Sequence, residues 1–162
     1  MSGNKKVKNA TQVIQSGIKF DSKLETMVYN TLVSLNYNPQ HEPTTYILWE
    51  GFRPTIPFYT MNRQKCTVLT NRKLVNITYT PDFYFEYKGL KVIIEAKGMM
   101  NDVFPYKFKM FRKLLETYPD KDDYIIFIVY SKKQLLESLK ILDEYAESRI
   151  NKYIAGSSTH KG

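Results

Sequence analysis

The chain has 162 residues, 43% of them hydrophobic, with 13 Tyr and 9 Phe; it is long enough for one domain of ordinary size and too aromatic for a disordered chain. Twenty-four basic residues stand against 16 acidic ones, a net charge of +8, which points to a polyanionic partner, although many small proteins are basic for solubility alone. A single cysteine, Cys66, excludes an internal disulfide, and the two histidines, His41 and His160, are too few for a Cys/His zinc cluster.

Met1 to Asn9 is polar and carries Lys5, Lys6 and Lys8 with no apolar run behind it, unlike a secretory signal. No apolar run approaches the ~20 residues of a membrane span. The expectation is a soluble, cytoplasmic protein with no membrane partner and no organic cofactor. Residues 1–17 read as a flexible basic arm, either without consequence or gripping DNA.

The first helix is predicted over Ser22–Leu35, where Leu24, Met27, Val28, Thr31, Leu32 and Leu35 recur at helical spacing. Ser22 with Glu25 three residues on reads as a capping box. Asn36–Pro43 is a loop and Thr45–Trp49 a strand. Residues 50–75 hold Gly51, Pro54 and Pro57, then Arg63, Lys65, Arg72 and Lys73, with no acidic residue after Glu50. They read as a basic insertion with a short hairpin over Cys66–Leu69; a solvated loop accounts for the same composition slightly better.

Two strands follow, Val75–Tyr87 and Leu90–Ala96, joined by Lys88 and Gly89 as a two-residue turn. In the second, Leu90, Val92, Ile94 and Ala96 point to one face and Ile93, Glu95 and Lys97 to the other, so both faces of the sheet are covered. A helix is predicted over Pro105–Tyr118, with Lys109, Arg112 and Lys113 together off its apolar stripe. The continuous apolar run Tyr124–Tyr130 reads as a buried central strand, Lys132–Ile154 as a last helix capped by Ser131 and Gln134, and 155–162 as a disordered tail. The order predicts an α/β fold, a single domain over 18–154 with a central mixed four-stranded sheet flanked by helices.

The chemistry concentrates on the hairpin. Asp is depleted in strands, and a carboxylate on a covered sheet needs a positive partner. Asp82 and Glu95 lie equally far from the turn at Lys88–Gly89, so an undisturbed antiparallel register sets them opposite each other, about 4.5–5.5 Å apart at Cβ. Two facing carboxylates repel, and a divalent cation converts that repulsion into a binding site. Lys97 shares the face of Glu95. A plain Glu95–Lys97 salt bridge at a strand end explains the same residues without a metal.

Pro81-Asp82 followed by Glu95-Ala96-Lys97, in this order of elements, resembles the PD-(D/E)XK nuclease superfamily. The segments Gly-Ile-Lys-Phe-Asp-Ser-Lys-Leu-Glu (17–25), Ala-Lys-Gly-Met-Met-Asn-Asp-Val-Phe (96–104) and Tyr-Lys-Phe-Lys-Met-Phe (106–111) resemble, more narrowly, small phage-encoded endonuclease or Holliday-junction-resolvase-like proteins within it. The resemblance implies a restriction-endonuclease-like core of order αβββαβ with an additional C-terminal helix. It also implies a Mg²⁺-dependent endonuclease hydrolysing DNA, with Mn²⁺ as substitute, and the host cytoplasm as location if the protein is phage-encoded. Asp82, Glu95, the Ala96 carbonyl and Glu25 would be metal ligands. Lys97 would orient or deprotonate the attacking water and stabilise charge on the phosphate. Glu25 has a competing use in the Ser22 capping box, and one carboxylate does not easily reach both places. Lys107, Lys109, Arg112 and Lys113 would contact nucleic acid; Lys107, nearest the apolar stripe, is expected to point into the cleft. Structure-selective cutting of branched DNA and a homodimer are the implied substrate class and assembly. A catalytically inactive nucleic-acid-binding module and a phage interaction protein are the alternatives.

Overall fold

The computed structural model describes residues 12–15, 17–98 and 102–158; the expectations for 1–11 and 159–162 lie outside the described residues. The chain begins with two short antiparallel strands, β1 (Val13–Gln15) and β2 (Ile18–Phe20). The end of the expected flexible arm is therefore paired strand. Gln15 and Asn30 exchange side-chain amide hydrogen bonds at 2.7 and 3.1 Å, which ties the hairpin to the first helix. Three-residue strands are too short to register as an alternating pattern.

Helix α1 (Lys23–Ser34) starts where Ser22 Oγ accepts the Glu25 N–H at 3.1 Å, and it buries Val28 and Leu32. Within the expected loop 36–43 lies a two-residue strand, β3 (Gln40–His41). Then come β4 (Tyr46–Trp49), β5 (Phe58–Met61), β6 (Thr67–Thr70), β7 (Ile77–Tyr79), β8 (Phe83–Tyr87), β9 (Leu90–Ala96), α2 (Phe104–Leu115), β10 (Tyr124–Val129) and α3 (Lys132–Ser158). Residues 155–158, expected in the disordered tail, continue α3.

The central sheet is mixed and four-stranded, in the order β10-β9-β8-β3. β9 and β10 run parallel, joined across α2, as a parallel pair requires; β8 is antiparallel to both β9 and β3. One correction concerns the strand expected over Val75–Tyr87. It is two strands in two different sheets: β7 pairs with β4, and β8 with β9 and β3. Pro81 lies at the break. It has no N–H for a ladder and it restricts Thr80 before it, so the chain changes sheets there. As a result Tyr46–Trp49, expected in the central sheet, lies outside it, and β3 takes the fourth place.

The two faces of β9 are covered as its alternation predicts. Leu90, Val92, Ile94 and Ala96 pack with Val28 and Leu32 of α1 and Leu135, Leu139 and Leu142 of α3. Ile93 packs on the other face with Tyr79, Phe104, Phe111 and Leu115, beneath α2. The turn has positive φ at both Lys88 (49°) and Gly89 (78°), the backbone a tight two-residue hairpin needs.

The 50–75 insertion contains the β5–β6 hairpin, with β6 covering most of the expected Cys66–Leu69 segment. It joins the β4–β7 pair at a tight crossing. The Gly51 N–H donates to Asn76 Oδ1 at 2.8 Å, and the Leu74 N–H donates to the Phe52 carbonyl at 2.8 Å. A Cβ on Gly51 would lie 2.2 Å from the Leu74 carbonyl oxygen, which is backbone and has no alternative rotamer. Gly51→Ala is therefore expected to open the crossing at a cost of about 1–3 kcal/mol, read as faster hydrogen exchange at the Leu74 amide.

Candidate functional site

The β8–β9 register pairs Phe83 with Ile94 and Tyr87 with Leu90, so Asp82, one residue before β8, comes level with Glu95. Two contacts hold Asp82 there. Its carbonyl accepts the Glu42 N–H at 2.9 Å, and its Oδ2 accepts the Ala96 N–H at 2.7 Å. Ala96 buries its side chain in the α1/α3 core while its amide fixes Asp82 on the opposite side of the strand.

Glu95 is 2% exposed and satisfied at both oxygens. The Tyr79 hydroxyl donates to Oε2 at 2.7 Å, and Lys97 Nζ lies 2.5 Å from Oε1. Lys97 also lies over the Phe104 ring, 4.6 Å from its centre, and its backbone N–H donates to the Val129 carbonyl at 2.9 Å. Strand β9 thus ends between β10 and the first turn of α2, and Lys97 leaves it pointing along the wall of a cleft. That cleft, of about 300 Å³, is lined by Glu42, Thr80, Asp82, Lys97 and Lys107 around the Tyr79–Glu95 pair.

The electrostatics follow from placing two acids and one base in a half-enclosed space. Burial, then Glu95, raises the Asp82 carboxyl well above the usual carboxylate range, against the opposing pull of Lys97 and the Ala96 N–H. Burial works against the Lys97 charge, but Glu95 and Asp82 outweigh it and hold Lys97 above its ordinary value. Burial and the Glu95 carboxylate push the Tyr79 phenol upward, so it acts as a neutral hydrogen-bond donor. Tyr79→Phe leaves a buried carboxylate oxygen short of a donor and is expected to cost about 1–3 kcal/mol in urea unfolding.

Of the residues expected to form the site, Asp82, Glu95, Lys97 and Lys107 come together, and Ala96 lies beneath them. Glu25 does not join the cleft wall. Its Oε2 accepts the Asp21 N–H at 2.9 Å, its Oε1 accepts the Ser22 hydroxyl at 2.8 Å, and His41 Nε2 lies 3.5 Å from Oε2. The capping box has taken the carboxylate, and Glu25 acts on Asp82 and Lys97 only through its field. Lys109, Arg112 and Lys113 are exposed along α2, and among the described residues none is in an ion pair. Tyr79 is a site residue that the sequence reading missed. Its only signal is a polar-tipped ring inside an expected strand, and its partner is set by the packing of β7 over β9.

Asp82 and Glu95 are two carboxylates, too few for a zinc cage. Among the described residues no group of three or more His, Cys, Asp or Glu side chains is placed to hold a metal. Mg²⁺ needs fewer protein ligands, typically one or two carboxylates, and keeps several waters. Asp82 and Glu95 supply two such groups on one cleft, where burial first and the Glu95 charge second raise the Asp82 carboxyl.

The fold and the site define a mixed α/β protein in which a paired Asp and Glu share a cleft with two lysines. The chain belongs to the DUF1064 family of proteins of unknown function, whose model matches residues 5–134, a span that includes every candidate site residue. No curated protein and no solved structure matches the chain. Among the described residues no helix is long and apolar enough to cross a membrane.

Proposed function

We propose that the protein is a metal-dependent endodeoxyribonuclease of the PD-(D/E)XK type, with a restriction-endonuclease-like core. The observation that carries this reading is the level placement of Asp82 and Glu95 beside Lys97 in an open cleft with Lys107 at its wall. Asp82 and Glu95 would hold Mg²⁺, or Mn²⁺ in its place. When bound, the ion would polarise the phosphoryl oxygen and acidify a water. Lys97, held protonated by its two acidic neighbours, meets the negative charge that grows on the phosphate. Tyr79 fixes Glu95, and the Ala96 amide fixes Asp82, so neither carboxylate needs to be ordered at the moment of reaction. Lys107 in the cleft and Lys109, Arg112 and Lys113 outside it supply phosphate contacts that position the strand.

The substrate we favour is branched or recombining DNA, cut by structure and not by base sequence. Acting on a two-fold junction calls for a homodimer with two sites. The test is cleavage of labelled duplex, single strand, flap, four-way junction and RNA with Mg²⁺, with EDTA as control. Mg²⁺-dependent cutting that is fastest on the junction or flap is the expected result, and no cutting of any substrate would refute the reading. A second reading, a nucleic-acid-binding module without catalysis, draws on the two filled oxygens of Glu95, which an inert salt bridge also explains. No rise in melting temperature with Mg²⁺ or Mn²⁺ would favour it.

A further inference from the structure

The β5–β6 hairpin pairs with no other strand among the described residues. It nonetheless carries large apolar side chains in the open: Phe58, Tyr59, Met61 and Leu69 are each more than half exposed. An isolated two-stranded hairpin is marginal in water, and exposed apolar surface of this kind marks a contact site. The register sets Tyr59 opposite Leu69 and Met61 opposite Thr67, so Tyr59, Met61 and Leu69 share one face, and Phe58 lies on the other with Val68.

The tip is built. Asn62 Oδ1 accepts the N–H groups of Gln64 and Cys66, each at 3.0 Å, and the Lys65 N–H donates to the Asn62 carbonyl at 3.0 Å. This turn holds Arg63 and Lys65 outward at the end of the ribbon. Counting from Gly51 to Asn76, the arm holds Arg53, Arg63, Lys65, Arg72 and Lys73 and no acidic residue. Among the described residues none of these five is in an ion pair. Two copies of such an arm repel each other, so the charge argues against a dimer contact here. A polyanion that also offers flat apolar faces fits both properties.

We propose that the 51–76 arm is a DNA-binding ribbon whose Phe58 and Tyr59 rings, on opposite faces, stack on unpaired bases of the two separated strands while Arg63 and Lys65 at its tip neutralise the adjoining phosphates. This deepens the nuclease reading and rests on it for the choice of DNA. The arm springs from the β4–β7 pair, whose far end, at Tyr79 and Thr80, borders the cleft. From Thr80 back to Cys66 the chain spans at most roughly 50 Å, so the tip can lie no farther than about one and a half turns of duplex from the cleft. The ribbon would thus hold a strand opening while the adjoining duplex lies at Asp82, Glu95 and Lys97.

Binding in EDTA tests this without any cleavage. The full chain is titrated by fluorescence anisotropy against a splayed-arm DNA with unpaired bases and against a fully paired duplex of equal length. The splayed-arm DNA is expected to bind at least about 10-fold more tightly. Replacing both Phe58 and Tyr59 by Ala should remove that preference and leave duplex affinity unchanged. Replacing Arg63 and Lys65 by Ala should reduce the log–log salt slope for single-stranded sites by about 1.4. Both pairs are exposed, so an unchanged melting temperature is the folding control. Wild-type preference in the aromatic variant, or an equal loss on duplex, overturns the proposal. If binding behaves as expected but Mg²⁺ elicits no cleavage, the nuclease reading fails and the arm stands. If cleavage occurs while both variants bind like wild type, the arm fails and the nuclease stands.

Discussion

Asp82→Asn is expected to slow DNA cleavage by at least about 100-fold and, in the same protein, to raise the melting temperature measured in EDTA. The two effects share one cause. Asp82 is half-buried opposite Glu95, and burial and that neighbour raise its carboxyl well above the usual range. Asn keeps an oxygen for the Ala96 N–H and removes the charge. The gain in stability should be about 0.5–2 kcal/mol at neutral pH. Its pH dependence has a definite sign. A carboxyl with a raised folded pKa contributes stability below its unfolded value, about pH 4, and loses it as pH rises through the folded value. The advantage of Asn should therefore be smallest in acid and grow as pH rises. Mg²⁺ should stabilise the wild type and leave Asp82→Asn nearly unmoved. An Asp82→Asn protein that cut DNA at the normal rate would sink the proposed site.

Lys97→Ala should behave in the opposite sense in the absence of metal. Glu95 is fully enclosed, and Lys97 is the cation 2.5 Å from its Oε1. Removing it leaves a buried carboxylate beside Asp82 with, among the described residues, only the Tyr79 hydroxyl as counterweight. Breaking one partner of a buried pair costs about 3 kcal/mol. Lys97→Ala should thus melt well below wild type in EDTA and recover part of the loss when Mg²⁺ is added. Cleavage should fall by about 10²–10³-fold, because the charge that meets the phosphate is gone even where the metal binds. The double variant Asp82→Asn/Lys97→Ala should be more stable than Lys97→Ala alone, since the two sites share one electrostatic balance. Equal melting temperatures for the two would show that the acids do not act as a pair. Thermal melts with and without Mg²⁺, run beside a cleavage assay, separate all of these outcomes.

Much of this arrangement was legible without coordinates. The turn at Lys88–Gly89 and the strict alternation of Leu90–Ala96 are local properties, and together they set the register, the two faces and the meeting of Asp82 with Glu95. The Ser22–Glu25 box is equally local, but the family resemblance also made Glu25 a candidate metal ligand, and only the fold shows the reciprocal bonds that hold it out of the cleft wall. What lies beyond reach of periodicity is pairing over long separations. Pro81 within Val75–Tyr87 signals an edge or a break, but nothing local says that the two halves join different sheets. Nothing in Gln40–His41 says that two residues supply the fourth strand, since so short a segment has no alternation to read. The Tyr79–Glu95 bond, the Phe104 ring beneath Lys97 and the entry of Lys107 into the cleft depend on how β7 and α2 pack over β9. The sequence by itself determined the sheet strands around the turn, the level acidic pair and the lysine beside it, because those follow from spacing along one hairpin. Only the tertiary structure decided how that pair is buried, which donors satisfy it and which cations share its cleft, because burial and charge balance are properties of surfaces brought together from distant parts of the chain.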